Sequence, residues 1–304
     1  MGTFLGHIIP GLAFTIIGIW HTLNTIKTYK LKGPSNFTSS TWFPFTSTTT
    51  PVTIPKHSEL YLLLSFSAAA AAVQILDYPL LSLSFKPDNY EHATMFLHLA
   101  VYASVALAVD LSASPDALRS LVGTLAASVF AQELFLLSFH SVDHAGLEGH
   151  YHWLLQLVVA FSFLATVTTV GLPSSFMAAT VRSASVLFQG CWFVVMGFAL
   201  WLPRFLPKGC YSTESGSDTG SGSGSGSFMS AVACRTEEAS QRATALANLQ
   251  FSWTLAGIAV LVAYLCLRTD SKCVEYRKLR SGGGDVSLIS SPEAEDLKQS
   301  QPSV

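Results

Sequence analysis

Residues 140 to 152, HSVDHAGLEGHYH, hold four histidines and two carboxylates. His140, His144, Glu148 and His152 are each four positions apart, the spacing that aligns side chains on one helical face. Neutral imidazoles with a carboxylate suit zinc or copper, and two imidazoles from different helices suit a haem iron. One continuous helix cannot carry the whole set. From Ala117 to Gly171 it would run about 80 Å, far beyond the roughly 30 Å hydrocarbon core of a bilayer. The chain must turn, and Gly146 and Gly149 are the positions that suit a turn. His140 and His144 then close one span, while Glu148 and His152 open the next across a hairpin. His92 starts another span on the same face and completes the expected ligand set. His7, Asp77, Glu133 and Asp143 are expected around it, Glu133 lying two turns from His140 on the same stripe. Ionisable groups inside a membrane usually face the bundle interior and mark function. The same groups could instead serve structural polar packing or proton and ion handling. His150 is expected to face water. His98 sits about 120° round the helix from His92 and should not share its site, and His21 and Asp110 fall at the opposite end.

These residues need elements to carry them. Half of the 304 residues are hydrophobic and only 12% are charged, about half the charge of a soluble domain. Seven apolar runs are long enough to span a bilayer. They lie near Phe4–Ile26, Leu60–Leu81, His92–Leu111, Ala117–Phe139, Tyr151–Gly171, Ser185–Leu202 and Leu249–Leu267. The expected fold is therefore an all-α polytopic bundle over residues 1–270, followed by a disordered tail over 271–304. Ser114 and Pro115 read as the cap and first turn of the fourth span. With the N-terminus lumenal or extracellular and the C-terminus cytosolic, twelve Lys and Arg residues fall on the cytoplasmic side and five opposite. That bias predicts the orientation.

Residues 209–235 then form a non-cytoplasmic loop carrying a Gly/Ser-rich insert, and Cys210 and Cys234 bracket that insert. On that side disulfides persist, so the two cysteines are expected to pair. The net charge of −2 says nothing about nucleic acid, but no basic block suggests a nucleic-acid groove, and no nucleic-acid partner is expected. There is no GxSxG elbow, Walker loop, dinucleotide fingerprint or HExxH.

The segments GTFLGHIIPGLAFTIIGIWH, HATM, DHAGLEGHYHWLLQ, PKGC and NLQFSW occur in this order. Together they resemble the transmembrane protein 45 family, some of whose plant members are labelled viral-response proteins. The resemblance implies a seven-helix membrane protein and supplies no reaction. The expected function is thus a multi-pass protein of the endomembrane system or plasma membrane, with membrane lipids as partners and a non-cytoplasmic histidine site for zinc, copper or haem. The alternatives are a metal-dependent lipid-modifying enzyme and a proton or ion conductor. The last span has no histidine, which weighs against hydrolases that hold zinc through a histidine pair there.

Overall fold

The computed structural model describes residues 3–45, 55–76, 87–140, 146–213 and 232–281. Its helices are α1 (Phe4–Lys32), α2 (Ser58–Leu76), α3 (Pro87–Asp110), α4 (Arg119–His140), α5 (Gly146–Gly171), α6 (Phe176–Trp201) and α7 (Glu237–Ser281). All seven contain a stretch long and apolar enough to cross a membrane. Their outer faces are apolar as well: Ile16, Leu164, Val260 and Leu267 are all exposed, as lipid contact requires. The chain is an integral membrane protein by this reading of its surface.

Helix ends follow local chemistry. The Thr3 side chain accepts a hydrogen bond from Gly6 N and caps α1. That helix ends at Gly33, whose φ of 78° suits glycine and whose N–H returns to Tyr29 O. Ser175 caps α6 through Ala178 N. Thr236 does the same for α7 through Ala239 N, with Glu237 and Glu238 in the first turn near the positive end of the helix dipole. Hydroxyls inside the bundle are satisfied by carbonyls one turn back, as in Thr15 to Gly11 and Thr22 to Gly18.

Several boundaries differ from expectation. Residues 115–118 form a turn, with Leu118 N bonded to Pro115 O and Arg119 N to Asp116 O. Helix α4 therefore starts at Arg119, and Ser114 does not cap it. Gly146, at φ 66°, does lie at the turn into α5, but Gly149 is already inside that helix. The sixth helix begins at Phe176 rather than Ser185, because the bundle takes in Arg182 and buries it. A short antiparallel pair, β1 (Cys210–Ser212) and β2 (Val232–Cys234), places Cys210 opposite Cys234. A disulfide joins them.

At the centre lies the contact between α1 and α6. A Cβ built on Gly18 would fall 2.5 Å from Leu187 Cα, and one on Gly190 would fall 2.3 Å from Thr15 N. Gly11 meets Val194 and Gly197 meets Ile8 at 2.9 and 2.8 Å by the same measure. These pairs run in opposite directions, so the helices are antiparallel. Within each helix the glycines are seven residues apart, which keeps small residues on one nearly straight seam. The window that spans the membrane in α6 is 67% buried, against 6% in α7. Helix α6 is thus the axis of the bundle, and α7 is peripheral.

Gly18→Ala and Gly190→Ala are expected to lower stability by about 1–3 kcal/mol or more, because backbone cannot yield as a flexible side chain can. Gly257→Ala, where an added Cβ meets nothing within 4 Å, should be neutral or slightly stabilising. Thermal unfolding of the detergent-purified variants checks this. Equal melting temperatures for the Gly190 and Gly257 variants would contradict a backbone-contact seam.

Candidate functional site

At the N-terminal face, α1 contributes His7 and α5 contributes Glu148 and His152, all of them buried. The His7 and His152 rings meet edge to face with centroids 5.8 Å apart, and His7 also lies 4.4 Å from the Trp201 ring. His7 Nδ1 is 3.0 Å from Thr3 O, and His152 Nδ1 is 2.9 Å from Glu148 O. A carbonyl only accepts, so each Nδ1 carries the hydrogen and Nε2 is the ring atom a metal would take. The structure therefore brings together two imidazoles from different helices. One of them, His7, was expected only at the margin of the ligand set.

The rest of that set is placed less closely, or is not placed. His92 is half-buried in the first turns of α3. The backbone of His140 ends α4, and its side chain lies outside what is described. His144, Asp143 and Asp77 lie outside the described residues. Glu133 is buried, and its hydrogen bond comes from Gln189 Nε2 rather than from an imidazole. Among the described residues, no three His, Cys, Asp or Glu side chains are grouped so as to hold a metal ion.

His150 does not simply face water. Its Nε2 lies 2.8 Å from Asn248 Oδ1 and its ring stacks with Trp153. Next to it, Tyr151 donates to Gln250 at 2.6 Å and accepts at its carbonyl from Trp192. The GHYHW and NLQFSW segments therefore clasp α5 to α7.

A second polar assembly lies along the C-terminal half of α1, around Trp20 and His21. Glu59 of α2 is buried and takes three hydrogen bonds: Trp20 Nε1 at 2.7 Å, His21 Nε2 at 2.7 Å and Phe43 N at 2.8 Å. The segment 34–45 folds across this end, with Phe37 and Phe43 buried and Phe45 stacked on Trp20. Tyr102 of α3 donates to Thr41 O at 2.9 Å. Arg182 of α6, buried, donates to Ser40 O and to Thr169 Oγ1. Farther out, Asp110 ends α3 between Lys56 and His57, each at 2.7 Å.

Between the two ends, α1 to α6 line a half-open cavity of about 110 Å³. Its walls are apolar and aromatic, with Phe14, Leu63, Phe66, Phe96, Leu99 and Phe130 among them. His21, Thr41, Tyr102 and Arg182 also line it, and all four belong to the assembly around segment 34–45. Glu133 and Gln189 follow the lining residues Phe130 and Val186 by three positions, and so stand about one turn beyond the cavity. An apolar chamber with a few convergent polar groups is the usual form of a small-molecule site.

Residues 119–267 match a family described as a family of unknown function, DUF716. The chain is similar to that family from the start of α4 through the membrane-crossing part of α7. The matched region holds the α5–α7 clasp and Arg182, whereas Glu59, His21 and segment 34–45 fall before it.

Glu59 and Arg182 were not singled out from the sequence. Each stands next to an apolar run, where a charge reads as a span boundary or a cytoplasmic marker. A usable signal was the low total of charged residues, which makes any acid or arginine bordering such a run a candidate for burial.

Glu59→Leu would leave Trp20, His21 and Phe43 N–H without their acceptor. It is expected to cost about 3 kcal/mol or more, while Glu59→Gln, which keeps a carbonyl oxygen, should cost less. Melting temperatures of the purified variants measure the order. An unchanged value for Glu59→Leu would remove the carboxyl from its anchoring role.

Proposed function

We propose that this protein is a membrane-embedded binding protein for a small hydrophobic molecule, held in the half-open cavity lined by α1 to α6. One observation carries this reading: the chamber is walled by aromatic and aliphatic side chains, yet contains an arginine, a tyrosine and a histidine grouped around one segment. A bundle that needed only to pack would fill such a space, because unfilled volume forfeits van der Waals contact. Burying a guanidinium in a membrane protein is costly in itself, so its position beside an open chamber points to a ligand. The resemblance to the transmembrane protein 45 family is compatible with this role and names no activity.

The reading is tested with a solvatochromic hydrophobic dye and protein reconstituted in nanodiscs. Saturable binding is expected for the wild type. Ala126→Phe, which places a ring where a lining methyl stands, should weaken it at least about tenfold, equivalent to about 1.4 kcal/mol, with the helical signal retained. Dye binding equal in both proteins would argue against the cavity as the site.

A second reading keeps the N-terminal face as a site for zinc, copper or haem, and the approach of the His7 and His152 rings supports it. His140 and His144 would complete the ligand set, with His92 nearby. Protein purified without chelators and supplied with metal should then carry stoichiometric metal or a haem absorption band, and His152→Ala should lose it. Wild-type protein free of both would end this reading.

A further inference from the structure

We infer that the ligand of the central cavity is a single-chain amphiphile with a carboxylate head, its head on Arg182 and its tail among the phenylalanines. This rests on the cavity reading above and adds the chemical class of the ligand.

The guanidinium carries five N–H donors in a planar fork. Two hydrogen bonds are made among the described residues, to Thr169 Oγ1 and to Ser40 O. These hold the group at the polar end of the chamber while leaving further donors for a ligand. No ion pair joins Arg182 to a carboxylate among the described residues. Glu59 is within electrostatic reach of Arg182 and Tyr102, but its oxygens are occupied by Trp20, His21 and Phe43 N–H. The cation is therefore fixed in place without a directly bonded acid.

A carboxylate matches that fork in shape and brings one negative charge. A phosphate monoester brings nearly two, and the second would have to sit close to Glu59. A primary amine would place a cation against a cation. The far part of the chamber offers only Phe66, Phe96, Leu99 and similar side chains, so the remainder of the ligand must be apolar.

The experiment uses the full chain in nanodiscs, with hexadecanoate, hexadecanol, hexadecylamine and hexadecyl phosphate competing against the dye. Hexadecanoate should bind at least about tenfold tighter than the alcohol or the amine, the increment expected of charge-assisted hydrogen bonds, and tighter than the phosphate. Arg182→Gln should abolish that preference while leaving alcohol binding in place. If this variant does not fold, a hexadecanoate bearing a diazirine at its far end decides on the wild type. Its crosslinks should fall away from Arg182, on the walls near Phe14, Phe66, Phe96 and Phe130. Equal binding of acid and alcohol, or tighter binding of the phosphate, overturns the carboxylate assignment and leaves the cavity reading intact. Failure of every amphiphile and of the dye to bind overturns both.

Discussion

Backbone contact between α1 and α6 is the constraint on which the other placements depend. Helices separated by ordinary side chains keep axes about 8–10 Å apart. Glycine opposite backbone allows a closer approach, and here that approach recurs along the seam at Gly11, Gly18 and Gly190, while Gly197 makes room for the Ile8 side chain. Once the seam closes, the residues flanking it have fixed neighbours. Ala13, Phe14, Ile17 and His21 on α1, and Arg182 and Val186 on α6, turn toward the space bounded by α2, α3 and α4. The chamber is thus a by-product of a tight two-helix core that the other helices surround without filling.

The polar groups of the bundle divide into levels, each closed by different means. At the N-terminal face, imidazoles use backbone carbonyls of their own helices, as His152 does with Glu148 O. In the middle, Glu133 and Gln189 pair across α4 and α6, and Gln189 Oε1 is buried with no hydrogen-bond partner among the described residues. At the opposite end, Glu59 and Arg182 each fasten the segment that crosses the bundle, one through Phe43 N and the other through Ser40 O. Only this last level brings a charged side chain to the chamber lining. That separates a group that stabilises the fold from one placed to meet another molecule.

The span architecture could be read from the sequence because hydropathy reports local composition, and a membrane crossing requires little else. The histidine-rich stretch was visible for the same reason, as a local excess of one residue type. Its partner His7 was expected only around the site and not as the ring nearest His152, since the approach of α1 to α5 is not set by spacing within either helix. Arg182 shows the limit most clearly. A hydropathy window starts the sixth span after it, whereas the helix begins at Phe176 and Arg182 lies inside it, its hydrogen bonds accepted by a carbonyl of a distant loop and a threonine on α5. Likewise Glu59 has partners on residues 20, 21 and 43, and no periodicity connects them.

The paired strands at Cys210–Ser212 and Val232–Cys234 have a consequence for chain architecture. Their ends are held together at the cysteine pair, so the points where the intervening stretch leaves and returns are fixed. Lengthening such a stretch adds a closure entropy that grows only logarithmically with residue number. The covalent clasp thus holds both ends of whatever is threaded between β1 and β2. That position is a natural insertion port, at which sequence can be gained, lost or exchanged for a reporter while the membrane-spanning framework stays as it is.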